Sequence, residues 1–190
     1  MASYWKQLFA LGTVSMLMTA CQTIDTMQLK KLTDSAPSGT NGSEALIYCS
    51  GTHDCNFERI DDIKIINAEN RHVESEALKL KLVRLQAQSL KDPNPVYLAV
   101  PAGQHELVVR FYPISPDKAE VLHVFQNFQA KHKYTFKMYR QRSARSTSLL
   151  QASAPDPLCV DLLQDTKTIR RFCKPYNVQT GIAEFVEQKI

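Results

Sequence analysis

The sequence predicts a mainly β protein, an antiparallel β-sandwich, and three observations lead there. Apolar and polar residues alternate with a period of two over several short stretches, the pattern of strands buried on one side only. Turn formers rich in Pro, Gly, Asn and Asp separate those stretches at short intervals. Four cysteines in the same region read as two bridges stapling a small body. Seven or more short strands at this spacing fit an antiparallel sandwich or a barrel, and we take the sandwich as the expected fold.

Two segments carry the clearest alternation. Leu107, Val109 and Phe111 share one face of a strand whose other face shows Glu106, Val108, Arg110 and Tyr112. Tyr134, Phe136 and Met138 do the same opposite Lys133, Thr135 and Lys137. Shorter strands are expected at Ala45–Cys49, Ile60–Ile66, Val96–Val100 and Val121–Phe125, and a hairpin at 159–173. They are punctuated by Pro93-Asn94-Pro95, Pro101-Ala102-Gly103 and Pro113-Ile114-Ser115-Pro116-Asp117. Between Val73 and Leu90, Leu78, Leu80 and Leu82 alternate as in a strand, while Leu78, Leu82 and Leu85 fit a helical face that polar Ser89 interrupts. A strand is the expected state there. At the C-terminus Ile182, Phe185, Val186 and Ile190 form a stripe at helical spacing behind a Thr180 cap, which predicts a short helix.

The N-terminus reads differently. Lys6 is the only charge before Asp25, and it precedes an apolar stretch from Leu8 to Met18, then small Thr19 and Ala20, then Cys21. That is the order of a secretion signal, and the stretch is too short for a bilayer core, which needs about 20 apolar residues. The run Leu17-Met18-Thr19-Ala20-Cys21 resembles the lipobox of bacterial lipoproteins, with Met18 in place of the usual leucine. The resemblance implies that residues 1–20 are a type II signal peptide, that Cys21 carries lipid, palmitate included, and that Gln22, not being aspartate, leaves the protein free to reach the outer membrane. Three acyl chains would anchor it almost permanently, where one holds only marginally.

From Gln22 to Ser43 the chain is rich in Thr, Ser, Gly and Asp, least structured at Ser35–Gly42, and reads as a flexible tether over residues 21–43. Residues 44–190 form the sandwich domain. Removing residues 1–20 takes away one lysine and leaves 22 basic against 19 acidic residues, a net charge of +3, over 170 residues. That length suits one domain with a sizeable core, and that balance does not mark a nucleic-acid binder.

Cysteine arithmetic agrees with the lipobox. Five cysteines are an odd number, but acylation would consume Cys21 and leave Cys49, Cys55, Cys159 and Cys173. Sequence permits three pairings, of which the two local bridges are favoured. Residues 159–173 put a turn near Asp165–Thr168, which brings Cys159 and Cys173 almost opposite each other. Cys49 and Cys55 enclose Ser50-Gly51-Thr52-His53-Asp54, where Gly51 tolerates unusual backbone angles. The rival is a metal site from Cys49, His53 and Cys55, which lacks an obvious fourth ligand.

A second resemblance covers residues 96–140. Tyr97-Leu98-Ala99-Val100-Pro101-Ala102-Gly103-Gln104-His105-Glu106-Leu107-Val108-Val109 is similar to the strand, Pro/Gly turn and strand of PEGA-like lipoprotein modules, and Phe125 to Tyr139 to their later strand pair. Lys131 stands where such modules often carry glycine. The resemblance bears on the fold.

Little in the sequence points to catalysis. The five histidines, His53, His72, His105, His123 and His132, begin no known motif, and there is no G-x-S-x-G elbow and no P-loop. Adjacent Asp61 and Asp62 would point to opposite faces of a strand. His105 and His123 could form a pair on neighbouring strands. No enzyme, no cofactor and no resident metal are expected.

The most unusual feature is basic: Lys131, Lys133, Lys137, Arg140, Arg142 and Arg145, with no acid among them and with Tyr134, Phe136 and Tyr139 interleaved. Such a stripe suits anionic polymer or lipid headgroups. The alternative is that Lys133, Lys137 and Arg140 are the charged outward face of a strand guarding a sheet edge. The reading reached is a lipid-anchored outer-membrane lipoprotein whose domain faces the periplasm, surface exposure being the other orientation, and serves as a non-catalytic binding or envelope-assembly module with an envelope protein or glycan partner. Two other readings stay open: a lysozyme-type enzyme inhibitor using the Cys49–Cys55 loop as a plug, and a structural lipoprotein of a secretion machine.

Overall fold

The computed structural model describes residues 42–85, 94–142, 155–175 and 183–190. Cys21, Arg145, Thr180 and Ile182 lie outside the described residues. The chain forms two sheets packed face to face. In chain order the elements are β1 (Glu44–Ser50), β2 (Asp54–Ile60), β3 (Ile63–Lys64), α1 (Ser75–Lys79), β4 (Val83–Leu85), β5 (Val96–Pro101), β6 (Gly103–Ser115), β7 (Lys118–Phe128), β8 (Lys133–Arg140), β9 (Leu158–Gln164), β10 (Lys167–Lys174) and β11 (Val186–Gln188). The larger sheet runs β11-β10-β9-β8-β1-β5-β4 and the smaller β3-β2-β6-β7.

The period-two alternation does the work expected of it. In β1 the even turns of the pleat bury Ala45, Ile47 and Cys49, and in β8 they bury Tyr134, Phe136 and Met138. From the smaller sheet Phe57, Ile60, Leu107, Val109, Phe111, Leu122 and Val124 meet them. Phe128 packs edge-on against Tyr134, ring centres 4.8 Å apart, near the sharp connection between β7 and β8. Burying such aromatic and branched side chains, at about 1.5–3 kcal/mol each, is what holds the two layers together.

The pairing departs from a purely antiparallel sandwich at its centre. β1 pairs β5 antiparallel but β8 parallel, with Ile47 beside Tyr134 and Cys49 beside Phe136. A parallel neighbour needs a long crossover, and here the whole smaller sheet is inserted between the two strands. The chain switches sheets at the Cys49–Cys55 loop, between β3 and β4 through α1, at Pro101-Ala102-Gly103, where Gly103 has φ +148, and at the β7–β8 turn.

Three expectations about elements are corrected. Residues 73–85 are not one strand: Val73 makes an isolated bridge to Ile66, Ser75–Lys79 form one helical turn that buries Ala77, and a strand begins only at Val83. Leu80, counted in the alternation, is 52% exposed. Ile60–Ile66 is not one strand, because Asp61 turns the chain at φ +48 between β2 and β3. The C-terminal helix is replaced by β11, whose residues pair with Arg171, Phe172 and Cys173 on the edge of β10. An open sheet edge offers a ladder of unsatisfied N–H and C=O groups. Glu187 adds a bidentate pair with Arg170, at 2.7 Å on both nitrogens. Those interactions outweigh a helical stripe that has little to pack against.

The β7–β8 turn carries Lys131 at φ +66, in the left-handed region. Its backbone N–H donates to the Glu44 carbonyl at 2.8 Å, which ties the turn to the start of β1. The left-handed penalty of about 1–2 kcal/mol exceeds the roughly 0.5–1 kcal/mol of unfolded-state freedom that a glycine adds. Lys131→Gly should therefore stabilise the fold by about 0.5–1 kcal/mol, read as a higher denaturant midpoint at unchanged slope.

Candidate functional site

Both bridges close as the local pairing requires. Cys49 is bonded to Cys55 and Cys159 to Cys173. Cys159 and Cys173 are directly opposed on β9 and β10, so the hairpin alone brings them together. Cys49 and Cys55 belong to different sheets, so their bridge staples the two layers at one corner. Buried Asn94 spans that corner: its Oδ1 accepts from the Cys55 N–H at 2.9 Å and its Nδ2 donates to the Cys49 carbonyl at 3.4 Å. With both sulfurs in a disulfide, Cys49, His53 and Cys55 do not form a thiolate metal site. Among the described residues no group of three or more His, Cys, Asp and Glu could hold a metal ion. The enclosed loop is not a free projection either, for Gly51 lies directly on the main chain of β8 at Met138.

The basic stripe is divided by the fold. Lys133 and Lys137 point outward from β8, Lys131 sits in the turn before it, and Arg140, at the far end, donates to the Asp156 carbonyl at 3.2 Å. Arg142 follows the strand and is exposed. Of the interleaved aromatics, Tyr134 and Phe136 face the core and only Tyr139 shares the lysines' face. Edge protection does not account for Lys133 and Lys137, because β8 is an interior strand with β1 on one side and β9 on the other.

Two tyrosines that the alternation alone did not single out complete this face. Tyr48 on β1 and Tyr97 on β5 stack with ring centres 4.9 Å apart and planes 10° apart, and the Lys133 ammonium stands 4.3 Å from the centre of the Tyr48 ring. The signal was present in the parity: Tyr48 lies between core-facing Ile47 and Cys49, so it must point out. Burial, and then the neighbouring Tyr97 oxygen, push the Tyr48 phenol up to about 12.

The carboxylates of the same face are already taken. Glu44 pairs with Arg84 at 3.0 Å. Asp161, opposite Lys137 in the register, instead accepts from Arg171 at 2.7 and 2.8 Å and from the Tyr139 hydroxyl at 3.1 Å. Burial alone would raise the Asp161 carboxyl, but the Arg171 hydrogen bonds and charge, with Tyr139, outweigh it and leave the group below the ordinary carboxylate range. Its folded value is thus the lower one, so its contribution to stability is full above about pH 4 and is lost as pH falls through the folded value. The melting temperature should fall on acidification below about pH 4, and Asp161→Asn should show a shallower fall. An acid slope unchanged in Asp161→Asn would count against this assignment.

On the smaller sheet two ion pairs lie within the sheet, while Glu120 reaches Lys174 of the larger one at 2.5 Å. Arg59 meets Glu106 at 2.5 Å, and Arg110 meets Glu58. His105 and His123 do not form a pair: their register partners are Gln126 and Val108. His105 instead places Nδ1 2.7 Å from Asp61 and Nε2 3.1 Å from the Pro101 carbonyl. Asp61 and Asp62 occupy the β2–β3 turn rather than a strand, and Asp61 also accepts from the Glu106 N–H at 2.9 Å. This cluster ties turns together; its geometry assembles no nucleophile beside a base.

The chain matches no family model, no curated protein and no solved structure.

Proposed function

We infer that this protein is a lipid-anchored lipoprotein of the bacterial outer membrane, whose disulfide-stapled β-sandwich is a non-catalytic binding or assembly module facing the periplasm. The observation that carries the reading is the accounting of cysteines. Four are consumed in two bridges, Cys49–Cys55 and Cys159–Cys173, and the fifth, Cys21, stands directly behind a signal-like apolar stretch. Structural disulfides fit an oxidising compartment beyond the inner membrane. The fifth cysteine falls where the lipobox pattern places the acylated one. The binding role draws support from a lysine-bearing interior strand that sheet protection does not explain.

The test is metabolic labelling with palmitate in a bacterial host, followed by membrane fractionation. The wild-type chain should take up label and sediment with the outer membrane, and Cys21→Ser should do neither. Label retained in Cys21→Ser, or an unlabelled wild-type chain, would refute the anchor.

A further inference from the structure

We propose that the outward face of the larger sheet, centred on β8 and β1, is a binding site for a glycan bearing carboxylates. Five side chains make it: Lys133, Thr135 and Lys137 along β8, with Tyr48 and Tyr97 beside them. Lys133 and Lys137 lie four residues apart on one face of a strand, about 13 Å, with the Thr135 hydroxyl between them.

Charge on this face is unbalanced in a particular way. Two of its carboxylates, Glu44 and Asp161, are each held by an arginine, Arg84 and Arg171, and a third, Asp165 at the Lys133 end, accepts from His132 and from the Lys133 backbone N–H. The two arginine pairs are neutral, so they do not compensate the lysines. Neither Lys133 nor Lys137 has an acid partner among the described residues, and both are exposed. The surplus is a row of cations whose counter-ions must come from outside the chain.

The remaining groups decide what kind of anion fits. The two tyrosine rings stack on each other and Lys133 covers Tyr48, so the rings offer their rims rather than their faces. A row of phenol and threonine hydroxyls between ammonium groups suits a ligand dense in hydroxyls and carboxylates. A membrane surface fits less well. The large exposed apolar side chains, Leu80, Ile114, Phe125, Val186 and Ile190, all lie away from β1, β5, β8 and β9, and the apolar residues of this face, Leu46 beside Lys133 and Leu163 beside Thr135, are half-buried, so little stands out to insert among acyl chains. The source of the glycan, a cell-wall polymer within reach of the tether, rests on the lipoprotein reading above; the face itself does not.

The experiment uses the full chain purified in detergent and cosedimented with peptidoglycan sacculi, either native or with their carboxylates amidated. Native sacculi should capture it and amidated sacculi should not. The double variant Lys133→Gln/Lys137→Gln should bind about fivefold more weakly or worse, while Lys64→Gln on the opposite sheet should bind as wild type. Matching thermal melts for the variants would separate binding from folding. Equal capture by native and amidated sacculi, undiminished binding of the double variant, or capture by phosphatidylglycerol vesicles in place of sacculi would overturn the proposal. Palmitate labelling of the same preparation reads the anchor separately. A labelled protein that ignores sacculi defeats only this proposal, and an unlabelled one that binds them defeats only the lipoprotein reading.

Discussion

Opening both disulfides is expected to lower the stability of the folded domain by about 5 kcal/mol, a large part of the 5–15 kcal/mol typical of a native protein. The bridges close loops with sequence separations of 6 and 14 residues. In the chain-entropy account these contribute about 2 and about 3 kcal/mol, chiefly by restricting the unfolded chain. Their native-state roles differ. Cys159–Cys173 joins strands already hydrogen-bonded as neighbours, whereas Cys49–Cys55 ties one sheet to the other beside Asn94. Cys159→Ala/Cys173→Ala should therefore leave a folded but weaker domain. Cys49→Ala/Cys55→Ala should in addition loosen that corner and speed amide exchange at Cys55. Denaturant unfolding with and without reductant measures the sum, and an unmoved midpoint would show that neither bridge contributes.

Gly51→Ala should cost about 3 kcal/mol or more, an unusual penalty for a residue in an exposed loop. Gly51 has φ +92, and a Cβ there would lie 1.9 Å from the Met138 carbonyl oxygen and 2.9 Å from its carbon. Main chain cannot swing aside as a side chain can, and the adjacent bridge prevents the loop from lifting away. Thr52→Ala, next in the chain, loses only a hydroxyl that donates to the Asp54 carbonyl at 2.8 Å, which is worth about 1 kcal/mol. If the two variants melted together, the loop would have to be more yielding than its contacts indicate.

Strands whose alternation was strong appear where alternation put them. Leu107, Val109 and Phe111, and Tyr134, Phe136 and Met138, all point into the core. The hairpin around Asp165 was equally legible, since its turn and its two cysteines fix one register. β2 was not legible, because its bulge between Phe57 and Arg59 breaks the period and buries Asn56 beside Phe57. The C-terminal stripe and the leucines of 78–82 misled for a related reason. Few apolar residues in a short segment fit either period, and what settles them is the neighbour they find. The candidate site was half legible. Its lysines stood out in the sequence, but Arg140, Tyr134 and Phe136 proved to belong to other surroundings, and Tyr48 and Tyr97 are distant in sequence.

By itself, the sequence determined the β class and the inward face of the strongly alternating strands, and it favoured the local pairing of the bridged cysteines among three. Each of these depends on residues a few positions apart, within the reach of strand pleat and turn geometry. Only the tertiary structure decided that β1 lies parallel to β8, that β8 is interior, and that Glu44 and Asp161 are neutralised by Arg84 and Arg171. Those outcomes follow from which strands pair across long stretches of chain. Pairing of that kind is set by the packing of both sheets at once, and no local pattern encodes it.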